Sequence, residues 1–320
     1  MKRRGAKGLK ITNIPTPDFR LQGIPGKYLQ FSNLCEFVVA DVDDNIHIEL
    51  EWRKDKHQDS DHKLINSDKV ARMKTLSEMG DIYFLSDAHL GWGDKRTEKI
   101  KERQLLSFLD SLQGKAEVLY IVGDFFDFWF EYKSVVTRRN PKILCELYQL
   151  IKSGTRVVYL AGNHDFWIGS FLSEGIGIEV SQHPVVAIHQ GLRIYLTHGD
   201  DLLKLGPGEK LLRKVLHSPL CIELFSLIHP DLGAVIARWA SRPGVRDSKR
   251  FDIAYLKRIC QRAAQRKFAK GFDAVVMGHI HVPLLQNRSD QTFVILGDWI
   301  KHFTYLVLHN GEFELKRWET

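Results

Sequence analysis

The chain has 320 residues, 44% of them hydrophobic, with a formal net charge of +7. That length allows one large domain or two smaller ones with a substantial core, and no run approaches the ~18 apolar residues that a spanning helix needs. The four cysteines, at 35, 145, 221 and 260, form no CxxC pair and no disulfide-like spacing, which suits a reducing compartment.

The opening MKRRGAKGLK is basic, but ITNIPTPDFR follows where an apolar signal-peptide region would stand, so no signal peptide is predicted. EFVVADVDDNIHIELEW (36–52) reads as two alternating strands around an Asp43-Asp44-Asn45 turn. Residues 53–69 are polar and linker-like. Residues 1–80 are therefore expected to be an accessory or spurious N-terminal extension without a catalytic role, and Met73 is a natural domain start.

From residue 81 strands and helices alternate. DIYFLSD (81–87), EVLYIVGD (117–124), RVVYLAG (156–162), RIYLTHG (193–199), DAVVMGH (273–279) and TFVILGD (292–298) are strand-like. Helical spacing runs over 97–113 and 141–154, the second closed by Gly154. A final hairpin is expected across Asn310-Gly311. The order predicts a layered α/β domain over 81–320. Residues 202–270 break the rhythm: the segment has helix spacing but too many apolar positions for a one-sided surface helix, and a helical cap is expected there. Between Lys204 and Lys270 there are fifteen Lys or Arg against five Asp or Glu, a bias that favours a polyanionic partner.

Five of the strands stop abruptly in side chains that bind metals or move protons. The ends carry Asp87 and His89; Asp124 and Asp127; Asn163, His164 and Asp165; His198 and Asp200; His279 and His281. In α/β sheets ligands gather outside the carboxyl ends of strands, so distant residues would converge on one site. A lone Asp-x-His or Gly-Asp carries little weight, but five in succession, each after an apolar strand, point to a metal centre. Imidazole, carboxylate and carboxamide donors without thiolate favour manganese, iron, zinc or magnesium. Asp87, His89, Asp124, Asn163, His198, His279 and His281 are too many for one ion and suit two, with Asp124, at the middle strand end, as the bridge.

Written as SDAHLG, VGDFFD, GNHD, THGD and GHIH, these segments resemble the calcineurin-like metallophosphoesterases across residues 82–300. The resemblance implies an αββα sandwich with a helical cap insertion. It also implies one cation on Asp87, His89, Asp124 and His281 and another on Asp124, Asn163, His198 and His279. His164 would then serve the leaving group, and Asp165 would orient its ring. GDFFDFWFEYKSVV, THGDDL, LFSLIHPDLGAVIARWASR and LGDWIKHFTY are similar to one branch, the UDP-2,3-diacylglucosamine pyrophosphatases of lipid A synthesis. The best-known members of that branch have Arg where this chain has His164, whereas the wider family has His.

The branch implies hydrolysis of a UDP-diacyl-sugar lipid to UMP and a lipid phosphate, two divalent cations with Mn²⁺ first, and a cytoplasmic enzyme held peripherally at the inner membrane. The apolar cap residues between Leu202 and Trp239 would supply acyl-chain contacts. Arg242, Arg246, Lys249 and Arg250 would meet the diphosphate or anionic headgroups. The alternatives are a phosphoesterase acting on another nucleotide or phosphate ester, a metal-free scaffold, and a nuclease. No ligand position is eroded, which disfavours a scaffold. No nucleic-acid partner is expected, because Phe225, Trp239, Phe251, Tyr255 and Phe268 follow helix-core spacing rather than interleaving with the basic residues.

Overall fold

The computed structural model describes residues 80–132, 140–202, 207–240 and 252–319, and the backbone of four short strands nearer the N-terminus. The chain divides into two compact units, Met1–Ala71 and Arg72–Thr320. In the first, β1 (Phe19–Arg20) pairs antiparallel with β2 (Tyr28–Leu29), and β3 (Phe37–Val42) with β4 (Asn45–Leu50). Phe37 faces Leu50 and Val42 faces Asn45. The expected linker at 53–69 and Met73 lie outside the described residues.

The second unit holds two sheets. The six-stranded sheet is ordered β15 (Glu312–Arg317), β14 (Thr304–His309), β5 (Asp81–Leu85), β6 (Ala116–Val122), β7 (Arg156–Leu160), β8 (Glu179–Ser181). The five-stranded sheet is ordered β12 (Leu284–Arg288), β13 (Gln291–Ile295), β11 (Ala274–Met277), β10 (Leu192–Thr197), β9 (Val185–His189). β5 to β8 run parallel to one another, as do β10, β11 and β13. Central strands covered on both sides read as unbroken apolar runs. In β6, Val118, Tyr120 and Val122 face the space between the sheets, while Leu119 and Ile121 face the helices.

Ile82, Phe84 and Val158 of one sheet meet Ile194, Val276 and Val294 of the other in the central core. The six-stranded sheet is covered by α1 (Lys95–Leu112) and α2 (Pro141–Lys152), through Leu105, Phe108 and Leu109 and through Ile143, Leu147 and Leu150. Asp94 caps α1 by accepting from Thr97 N at 2.8 Å. On the outer side of the five-stranded sheet, α6 (Ile253–Phe268) packs Cys260, Ala263 and Ala264 against Val275, Met277 and Ile295. The layers are thus α, β, β, α, as expected.

One expectation changes. The helix at 253–268 is an outer layer of the sandwich rather than part of the cap, because its small residues lie flat on the sheet. What remains of the insertion is α3 (Pro207–Leu216), α4 (Pro219–Ser226) and α5 (Pro230–Ala240). Among the described residues of these three helices, Leu211, Leu220, Leu224, Leu232 and Val235 are all more than half exposed. β8, β9 and β12 were not read from the sequence. No helix among the described residues is long and apolar enough to cross a membrane.

Candidate metal centre

All five predicted strand ends open on one edge of the sandwich, and their side chains meet. Donor atoms of Asp87, His89 and His281 lie within 4.8 Å of one another, as do those of Asp124, His198 and His279, and those of His89, Asp124 and His164. Asp124 stands between the first two groups: its Oδ2 is 3.7 Å from His89 Nε2 and 3.2 Å from His198 Nε2. Asn163 Oδ1 lies 3.2 Å from His198 Nε2.

Turning so many side chains inward strains the backbone. Asp87, His89, Asp124, His279 and His281 all have left-handed φ, between 41° and 70°, a conformation that costs of order 1–3 kcal/mol at a non-glycine residue. Bonds between loops hold it: Asp87 N donates to Gly123 O at 3.1 Å and His89 N to Asp124 O at 2.9 Å. Close approach also dictates two glycines. A Cβ at Gly162 would lie 2.2 Å from Asp124 Oδ1, and one at Gly123 would lie 2.4 Å from His198 Nδ1.

The arrangement demands positive charge. His198 Nδ1 sits 2.9 Å from Val122 O, so this nitrogen carries a hydrogen. Its Nε2 then faces two oxygens that can only accept, and either a second proton or a cation must lie there. Burial opposes a charge on His198, but Asp124 prevails and holds its pKa well above the usual histidine value. Burial, then the neighbouring His198, pulls His279 down to about 4, leaving it neutral as a ligand must be. Across the cluster, His89 Nε2 and His281 Nε2 are 3.2 Å apart. Asp87 Oδ1, buried without a hydrogen-bond donor, is 3.2 Å from His281 Nε2. Converging imidazole and carboxylate donors of this kind fit divalent cations.

Residues behind the donors fix them, and the sequence reading misassigned or missed three. Asp165 was expected to orient His164. Instead its Oδ2 accepts from Phe125 N at 2.8 Å, Phe126 N at 3.3 Å and the Tyr159 hydroxyl, and its Oδ1 from Gly162 N at 2.7 Å. Asp165 therefore ties the β6 and β7 loops together, and Asp127 orients His164, with its main-chain O 3.2 Å and its carboxylate Oδ1 3.4 Å from Nδ1. Burial pulls the His164 pKa down, but Asp127 and the charge of Asp124 outweigh it and push it up to about 9. Asp298, after β13, accepts from Ile300 N, Lys301 N and His302 N at 2.7–3.0 Å, and its Oδ2 lies 3.7 Å from His281 Nδ1. It follows an apolar strand as Gly-Asp, the same signal that marked Asp124. Lys101 is fully buried in α1 and donates to Ala88 O, His89 O and Trp92 O at 3.2, 2.5 and 2.9 Å, bracing the loop of Asp87 and His89. Its position on an amphipathic helix gave no sign of this. Arg242, Arg246, Lys249 and Arg250 lie outside the described residues.

A profile of the family described as calcineurin-like phosphoesterase matches residues 80–283. The chain belongs to that family. It is a metal-dependent hydrolase with the family's layered α/β sandwich. Among curated proteins it is 29% identical over 245 residues to a UDP-2,3-diacylglucosamine hydrolase of Porphyromonas gingivalis, covering 71% of this chain and 93% of the relative. It is 32% identical over 250 residues to the protein of that name from Pseudomonas savastanoi pv. phaseolicola, covering 74% and 96%. A third, from Neisseria meningitidis, is 26% identical over 235 residues, covering 73% and 96%.

Proposed function

We propose that the chain hydrolyses the pyrophosphate bond of UDP-2,3-diacylglucosamine, giving UMP and 2,3-diacylglucosamine 1-phosphate. The carrying observation is an exposed apolar face on α3–α5, joined to the loops of a centre suited to phosphoester chemistry, in a chain whose relatives bear that enzyme's name. Asp87, His89 and His281 would hold one cation and Asn163, His198 and His279 a second, with Asp124 shared; Mn²⁺ is the first candidate. Divalent cations there would polarise the phosphoryl oxygens and lower the pKa of the attacking water.

The protein's own groups do the rest. The water gives up one proton to solvent as its oxygen joins the α-phosphorus, and the bond from that phosphorus to the bridging oxygen breaks. His164, turned by Asp127 at Nδ1, would give the proton of its Nε2 to the bridging oxygen, which departs with the lipid phosphate. The acyl chains would lie along α3–α5, each buried methylene contributing about 0.8 kcal/mol. Arg242, Arg246, Lys249 and Arg250 are proposed to meet the diphosphate or anionic headgroups, placing the enzyme peripherally on the inner face of a membrane.

The direct test is release of UMP from the UDP-lipid in the presence of Mn²⁺, with ¹⁸O from labelled water appearing in UMP. No UMP, or label in the lipid phosphate, would reject the reaction as written. Substrate choice is expected to follow the cap. Leu224 is 56% exposed on α4, and Leu224→Glu should raise KM for the UDP-lipid roughly ten-fold, the loss of about two methylenes. Hydrolysis of a soluble phosphodiester should not change; equal loss on both substrates would make the helices purely structural. The hairpin unit is assigned no catalytic part, so a chain beginning at Met73 is expected to keep the full kcat/KM. Precipitation or a lost rate would show that residues 1–72 support the hydrolase unit.

A further inference from the structure

Beyond their polar residues, the two loops that carry His164 and its orienting carboxylate turn aromatic. Phe128, Phe130 and Tyr132 follow Asp127, and Phe166 and Trp167 follow Asp165. The Trp167 ring lies 5.9 Å from Phe128, 5.4 Å from Phe130 and 4.8 Å from Phe225 of α4, centroid to centroid. Phe130 and Phe225 are themselves 4.8 Å apart and both buried. One aromatic cluster thus joins both loops to the cap.

The other two cap helices touch the same cluster. Trp167 Nε1 donates to Leu216 O at 2.8 Å. Leu216 is the last residue of α3, where a carbonyl has no acceptor role left within the helix. Next to it, His217 stacks on Phe166 at 4.2 Å with the planes 14° apart. On α5, a Cβ at Gly233 would lie 2.4 Å from the Tyr132 hydroxyl and 3.2 Å from Phe225, so that helix approaches with its backbone. In contrast, Leu211, Leu220, Leu224, Leu232 and Val235 of the same helices stay more than half exposed.

We infer that Trp167, with Phe166, is a positioning residue for the lipid substrate. It clamps the cap to the loop that carries His164, three residues away, so acyl chains held on α3–α5 bring their diphosphate into register with the metal centre. This rests on the lipid reading of the substrate. The indole suits the task because one side chain supplies both a large ring for the cluster and an N–H for the end of α3. Phenylalanine would keep most of the ring and lose the donor.

The test compares Trp167→Phe and Trp167→Ala with the wild-type full chain on the UDP-lipid and on a soluble p-nitrophenyl phosphodiester, with metal content measured in each. Amide exchange is followed over residues 207–226. For the lipid, kcat/KM should fall about ten-fold in Trp167→Phe, the worth of one hydrogen bond, and about 10²-fold in Trp167→Ala, the effect of misplacement by an ångström. The soluble diester rate and the metal content should hold, and amides of 207–226 should exchange faster. Equal losses on both substrates, an unchanged lipid rate, or unchanged exchange would each overturn the clamp. Should Trp167→Ala not fold, Trp167→Phe carries the comparison alone. If the wild type does not cleave the UDP-lipid, the substrate reading fails. Exchange then decides the clamp: faster exchange in Trp167→Phe upholds it and unchanged exchange rejects it.

Discussion

Asp124→Ala is expected to abolish hydrolysis and to strip the protein of more than one equivalent of metal. The carboxylate reaches toward both imidazole groups, 3.7 Å from His89 Nε2 and 3.2 Å from His198 Nε2. Its other oxygen accepts from His164 N at 2.8 Å. Alanine removes the negative charge from the middle of the cluster and leaves ring nitrogens without the oxygen that makes a cation favourable between them. Cation stabilisation of the transition state is worth several kcal/mol, and at about 1.4 kcal/mol per decade that is on the order of 10³-fold or more in rate. His281→Ala should be milder in metal content, because Asp124, His198 and His279 stay complete. Metal analysis after gel filtration, with circular dichroism to check the fold, separates the two variants. Protein that stays fully active after EDTA treatment without added metal would refute the metal reading.

How much of this was legible in the sequence depended on whether a residue's signal lay in its own neighbourhood. The donors were legible because each ends a buried strand: Leu160 is 2% exposed, and three residues later the chain offers Asn163, His164 and Asp165. An apolar run that stops in ligand side chains is a local pattern, and the sandwich brings the ends together. β9 was missed because Val186 and Ile188 point outward and are exposed, which blurs the buried-strand pattern; the Gln190-Gly191 turn, with φ of 51° and 81°, was its remaining signal. Asp165 was misassigned because adjacency to His164 in sequence is not adjacency of side chains. Its carboxylate turns inward to Gly162 N and the β6 loop, and the partner of His164 comes from that other loop. Lys101 was invisible for a related reason. A lysine at a helical position ordinarily marks the wet face, and three carbonyls of the β5 loop together with the Glu98 carboxylate, 2.5 Å away, make its burial tolerable. The cap's edges shifted because α6 shares the insertion's apolar and basic composition, and composition does not say which surface a helix faces.

His164→Ala should lower kcat by 10²- to 10⁴-fold, the usual contribution of a general acid, while KM and metal content stay close to wild type. The side chain differs from its neighbours in the cluster. It is about a quarter exposed where His89 and His198 are closed in, and its Nδ1 is engaged by the Asp127 carboxylate. That engagement opposes the pull of burial and favours the protonated ring, which has a proton to deliver. The chemistry of the departing group then supplies a test that a merely structural role would not pass. A sugar phosphate departs with a second pKa of about 6 and is no worse a leaving group than p-nitrophenolate, so a proton donor matters most where the departing oxygen is a weakly acidic alkoxide. The loss in His164→Ala should therefore shrink steadily as the leaving group of a phosphodiester series becomes more acidic. Asp127→Asn should show part of the same trend, because the amide no longer favours the charged ring. A loss that is the same for every leaving group would remove His164 from proton transfer, and a missing metal equivalent in the variant would make it a ligand instead.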